Sequence, residues 1–142
     1  MPIWTNPSIS DTPAFELVFW AVFEVQLGAE APPTRHVVGE VSDSGDGQVS
    51  SPVIEFDPGS GSFRTRSGRV YRVLGSPLGL RSQGDYVWKS WLSLWKSEFE
   101  PREVTDEVAQ AIAERNGEPT YESLCVRLLR EHRLRRDAEG KP

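Results

Sequence analysis

From Phe15 to Leu27 the chain alternates: Phe15, Leu17, Phe19, Ala21, Phe23, Val25 and Leu27 occupy every second position, with Glu16, Val18, Trp20, Val22, Glu24 and Gln26 between them. A period of two puts successive side chains on opposite faces of a strand, and aromatic and β-branched residues favour that conformation. The spacing predicts one long strand, ended by Gly28 to Thr34 with its Pro32-Pro33 pair. Because Val18, Trp20 and Val22 make the second face apolar too, this strand is expected to be buried on both sides or to present an apolar patch. A second strand follows at His36 to Val41. The polar cluster Asp43-Ser44-Gly45-Asp46-Gly47 reads as a hairpin loop, and the return strand is expected from about Gln48 to Asp57. Pro52 inside it cannot donate to a ladder, which predicts an edge position or a bulge. Asp57 to Gly61 forms another turn cluster. Ser67-Gly68 is a two-residue turn between Ser62–Arg66 and Arg69–Leu74.

Past Gly75 to Leu80 the period changes. Trp88, Trp91, Leu92, Trp95 and Phe99 stand at i, i+3, i+4, i+7 and i+11, the stripe of a helix from about Asp85 to Glu98. Asp85 is its expected cap, and the three tryptophans are expected to be buried against the sheet. Pro101 ends that helix. Thr105 caps a second, with Asp106 and Glu107 in the turn where the helix dipole favours acids, and Asn116-Gly117 closes it. Pro119-Thr120 opens a third, with Tyr121, Leu124, Cys125, Leu128 and His132 on one stripe and Arg133, Arg135 and Arg136 in its last turn. The expected fold is α+β: an antiparallel β-meander or partly closed barrel of about five strands, followed by three α-helices. Residues 1–14 are expected as a flexible arm. Residues 15–142 form a single domain, β-rich over 15–75 and helical over 85–137.

With 142 residues the chain matches the commonest single-domain size of roughly 100–150. A lone cysteine excludes an internal disulfide. The first residues carry no basic, apolar leader pattern, and Phe15–Leu27 is too short and too charged for a membrane span, so a cytoplasmic protein is expected. The net charge of −5 hides a segregation. Met1 to Phe63 carries −8, Arg64 to Lys96 carries +6, and Ser97 to Pro142 carries −3. Two readings stay open: the segments attract each other within the fold, or they present opposite surfaces to a partner.

Candidate chemistry is sparse. Cys125 and His132 stand seven residues apart on one helical stripe. At about 1.5 Å of rise per residue that is beyond the hydrogen-bond reach of a nucleophilic pair. Cys125, among Leu124, Val126 and Leu128, reads as a small hydrophobe. Two histidines and one cysteine cannot complete a zinc site without carboxylates. The Asp43–Gly47 run lacks the alternating ligands and terminal Glu of a calcium loop, and neither glycine-rich turn leads into a phosphate loop. Glu40, Glu55 and Asp57 form no catalytic constellation. No catalytic residue, metal or cofactor is expected.

The basic hairpin is the best local feature. A two-residue turn at Ser67-Gly68 would pair Arg66 with Arg69 and Arg64 with Tyr71, gathering Arg64, Arg66, Arg69 and Tyr71 on one face. Such a cluster invites an acidic or mixed-charge protein surface. Nucleic-acid phosphate is the alternative, although a pI near 5.1 is opposite to the usual basic footprint. The stretch Thr65 to Gly75, followed by Tyr86-Val87-Trp88, resembles small uncharacterised proteins of bacterial mobile elements and phages, over about a third of the chain. That resemblance implies no catalytic residue and a role such as inhibition of a host defence complex, CRISPR-Cas among them. The expectation is a non-catalytic protein-binding module; an accessory protein that binds nucleic acid through the Arg hairpin is the alternative.

Overall fold

The computed structural model describes residues 13–95 and 99–116. The long alternating segment is β1, Ala14–Val25, and the sheet assembles around it. One edge pairs antiparallel with β2, Thr34–Val41. The other edge is shared. Its first part pairs in parallel with β6, Val70–Val73, and its last part antiparallel with β7, Arg102–Glu103. β3 (Gly47–Val49), β4 (Val53–Asp57) and β5 (Ser62–Thr65) complete the order β3-β2-β1-β6-β5-β4. Two helices are described, α1 (Ser82–Trp95) and α2 (Thr105–Arg115), with β7 between them.

The expectation of about five antiparallel strands followed by three helices is therefore corrected. Among the described residues there are seven strands in one mixed sheet and two helices. Two physical causes account for the difference. Pro52 cannot donate to a ladder, and the expected return strand is cut there into β3 and β4. A twelve-residue β1 has two edges of backbone donors and acceptors to satisfy, and the neighbour available at its start is the distant β6, running parallel. α1 begins three residues earlier than expected, at Ser82, and Asp85 lies inside it, paired with Lys89 at 2.9 Å rather than capping. Thr105 is the first residue of α2, not its cap. Its hydroxyl accepts from Val22 N at 3.0 Å and donates to Glu103 at 2.7 Å, so it fastens the helix to β1. The arm up to residue 12, Trp4, and the third helix with Cys125 and His132 lie outside the described residues.

β3 and β4 stand at opposite ends of the strand order, yet only Ser50-Ser51-Pro52 separate them. The four Cα steps from Val49 to Val53 reach at most roughly 14 Å. Six flat strands at about 4.8 Å spacing would set their ends about 24 Å apart. The sheet must curl. Its concave face holds Leu17, Trp20, Val22, Val37, Phe63, Tyr71 and Val73, closed by Val108 and Ala109 of α2. The opposite face carries Val25, Val38 and Val49 under Val87 and Trp88 of α1.

A bulge in β1 makes the curl. Val18 faces Glu40 and Ala21 faces Val38, so Phe19 and Trp20 share Gly39 as their partner. Phe19 sits at φ 47, a conformation a bulky residue rarely takes, with the Arg81 guanidinium 4.6 Å over its ring. A side chain at position 39 would be crowded here, because a Cβ would lie 3.1 Å from the Val18 carbonyl oxygen. The extra residue brings Trp20 and Val22 onto the same core face as Leu17, where strict alternation had put them on the opposite one. Among the described residues, no helix is long and apolar enough to cross a membrane.

Candidate functional site

The basic hairpin differs from its expected geometry by one residue. Thr65 N donates to the Arg69 carbonyl at 3.2 Å and Gly68 N to the Thr65 carbonyl at 2.9 Å, so the loop is Arg66-Ser67-Gly68 with Gly68 at φ 94. This is a three-residue loop with a left-handed glycine, and it slides the register. Arg64 faces Val70 and Phe63 faces Tyr71. The four residues expected on one face are therefore split. Arg64 and Arg66 are exposed, whereas Tyr71 is buried and Arg69 is only 4% exposed. The Arg69 guanidinium lies 4.8 Å from the centre of the Phe15 ring and hydrogen-bonds the Tyr71 side chain. Burial pushes the Tyr71 phenol above its ordinary pKa, and the arginine partly offsets that.

The acidic and basic segments meet inside the molecule. Glu55 holds Arg64 at 2.7 Å and Glu16 holds Arg72 at 3.3 Å. At the far end of β1, Glu24, Arg35, Glu107 and Arg102 close a ring of alternating charge, with each contact between 3.2 and 3.3 Å. Burial opposes the charge on Glu24, but hydrogen bonds from Arg35 and Arg102 outweigh it and hold the carboxyl below the usual range. Glu16, Glu24 and Glu55 of the acidic segment are thus engaged within the fold, whereas Glu30, Glu40, Asp43 and Asp46 are in no ion pair among the described residues.

What reaches the surface in strength is aromatic. Phe23 and His36 face each other across β1 and β2 on the side that α1 covers. Trp88 stacks on Phe23 at 4.3 Å between centroids, and Trp91 sits 4.6 Å from the His36 ring. Trp88 and Trp91 stack at 5.4 Å, and Trp95 continues the row at 5.7 Å from Trp91. Along this row burial falls away: Trp88 is 6% exposed, Trp91 half-buried and Trp95 53% exposed, with Leu94 beside it at 61%. The expectation that all three tryptophans are buried is corrected for Trp95. Trp88 and Trp91 have strand residues beneath them, Phe23 and His36, whereas the ring contact of Trp95 is with Trp91 of its own helix.

No protein-family model, curated protein or solved structure matches the chain. The site must be read from its own chemistry.

His36 is buried beneath Trp91 and fully engaged. Its Nδ1 lies 2.8 Å from the Ser50 carbonyl, which can only accept, so Nδ1 carries the proton and Nε2 accepts from the Thr34 hydroxyl at 2.8 Å. Burial holds its pKa below the ordinary value, with Arg66 adding repulsion and the Ser50 hydrogen bond opposing both. A ring with both nitrogens occupied serves as a wall for the tryptophan row.

A second feature was not anticipated. A cleft of about 560 Å³ opens between the start of β1, the β2–β3 loop and the first turns of α1. Gln48, 4% exposed, lines it, and its Oε1 is buried with no hydrogen-bond partner. Nothing in the sequence marked Gln48, because its inward direction is fixed by its pairing with Gly39.

Proposed function

We propose that this protein is a non-catalytic protein-binding module whose docking surface is the C-terminal half of α1. Trp91, Leu94 and Trp95 form its centre. The observation that carries the reading is the aromatic row, rooted in the core at Trp88 and running outward to an exposed Trp95 beside an exposed Leu94. Tryptophan held by packing on one side and open on the other suits the anchor of an interface, where it buries a large area at small entropic cost. The partner that fits is a protein with an apolar patch set in a mixed-charge surface. The resemblance to mobile-element proteins suggests a class to try first, subunits of host defence complexes. The hairpin offers the nucleic-acid alternative less support, since Arg64 is paired with Glu55 and Arg69 is buried.

The test begins with affinity capture and is decided with purified components. Once a captured protein is reconstituted with this one, Leu94→Ala/Trp95→Ala should leave the melting temperature nearly unchanged. It should weaken binding about thirtyfold, the order expected for losing a hot-spot anchor. Equal affinity of the folded double variant would overturn the reading, as would a captured partner that proves to be nucleic acid alone.

A further inference from the structure

The two halves of α1 are held differently. Its buried residues, Gly84, Val87 and Trp88, all lie in the half that begins at Ser82. The other half, residues 89–95, rests on the sheet through half-buried Trp91 and Leu92. Polar side chains of this half bond within the helix, Lys89 to Asp85 at 2.9 Å and Ser93 to the Ser90 carbonyl at 2.8 Å. Beneath Trp91 lies His36, 1% exposed, with 4.6 Å between the ring centroids. The imidazole is faced by Phe23 from β1, Thr34 from β2, the Ser50 carbonyl after β3, Trp91 from α1 and Arg66 from the β5–β6 loop. Arg66 is the charged group of this set, and none of the set is an acid. Glu24, next to Phe23, belongs to the other face of β1, where Arg35 and Arg102 engage it.

We propose that His36 is an acid-operated latch on the docking half of α1: protonation of its ring frees residues 89–95 from the sheet while the rest of the fold stays closed. In the neutral ring Nδ1 donates to the Ser50 carbonyl and Nε2 accepts from the Thr34 hydroxyl, so an added proton goes to Nε2. The Thr34 hydroxyl then turns to accept, and that hydrogen bond survives. The charge itself has no place. It is out of reach of water, it faces no carboxylate, and Arg66 repels it, so the ring's pKa lies below the ordinary value. The least costly way to hydrate it is to lift Trp91 with the half-helix that carries it, because opening a segment with few buried contacts costs less than unfolding the whole. Trp91, Leu94 and Trp95 then no longer hold a fixed row. Loss of partner binding in acid follows from the latch and rests on the reading of α1 as the docking surface; the latch itself does not rest on it.

The test is NMR of the full chain from about pH 7.5 to about pH 5, following the His36 ring protons, the tryptophan indole N–H signals and the backbone amides. Below the ordinary histidine value of about 6.5, the Trp91 and Trp95 indoles and the amides of residues 89–95 should move with the same midpoint as the His36 ring. The Trp20 indole and the amides of β6 and α2 should keep their folded positions. His36→Gln should hold the helix signals still across the range. The proposal is overturned if the ring is still neutral at the acid end, or if it titrates while residues 89–95 do not respond. It is equally overturned if all signals collapse together, or if the helix moves as much in His36→Gln. Should that variant fail to fold, the natural protein decides by itself. With a reconstituted partner, binding should weaken about tenfold or more at the acid end in the natural protein and not in His36→Gln. A latch that operates beside a partner indifferent to pH sinks the docking reading of α1 and leaves the latch standing.

Discussion

His36 shows how a single side chain can couple the fold to pH. Its folded pKa lies below the ordinary histidine value of about 6.5, chiefly through burial. Above that value the ring is neutral in both folded and unfolded states and costs nothing. As pH falls below it, the unfolded chain takes up a proton that the folded chain refuses, so stability declines until the folded pKa is reached. Unfolding free energy measured by urea titration should therefore drop between neutral pH and mildly acidic pH, and His36→Gln should flatten that part of the curve. A natural protein with flat stability across this range would contradict the assignment. Residue-scale reading of the sequence was at its weakest here. His36 opens a predicted strand and Gln48 follows a turn, but which polar side chains point inward depends on register, and register depends on the partner strand. Gly47 is another such position. Gly47→Ala should lower stability markedly, since a Cβ would come within 2.9 Å of Val87 Cγ2 and closer still to the Gln83 backbone.

At the scale of elements, α1 and the β5–β6 hairpin divide what was legible from what was not. The tryptophan spacing identified a helix and the face it buries, because the α-helical period is a local property. It could not tell how far the supporting sheet extends, which depends on how β1, β2 and β3 pair. The consequence is measurable. Trp88→Ala should cost about 3–5 kcal/mol as a large-to-small change in the core, whereas Trp95→Ala should stay within about 0.5 kcal/mol. Thermal and urea unfolding of the two variants checks the contrast, and similar losses for both would place the helix differently on the sheet. In the hairpin the turn was located correctly, yet Ser67-Gly68 fits both a two-residue and a three-residue loop. One residue decides which side chains share a face. The parallel pairing of β1 with β6 is a non-local fact with no signature in either strand's own pattern.

Across the whole molecule, part of the charge asymmetry along the chain becomes internal order, with acids of β1 and β4 meeting arginines of β2, β5, β6 and β7. The ring of Glu24, Arg35, Glu107 and Arg102 ties four elements together. Glu24 has its carboxyl pKa held low, so its contribution is present above the ordinary glutamate value of about 4.3 and is lost as pH falls through the depressed one. A second acid-side loss of stability should therefore follow the one from His36, and Glu24→Gln should remove it. With these charges engaged internally, the proposed binding surface is the aromatic end of α1. That claim is tested most directly with a reconstituted partner and two folded variants side by side, Leu94→Ala/Trp95→Ala on the helix and Arg64→Glu/Arg66→Glu on the hairpin. The helix variant should raise the dissociation constant about thirtyfold, while the hairpin variant should change it severalfold at most. The opposite ranking would contradict the claim.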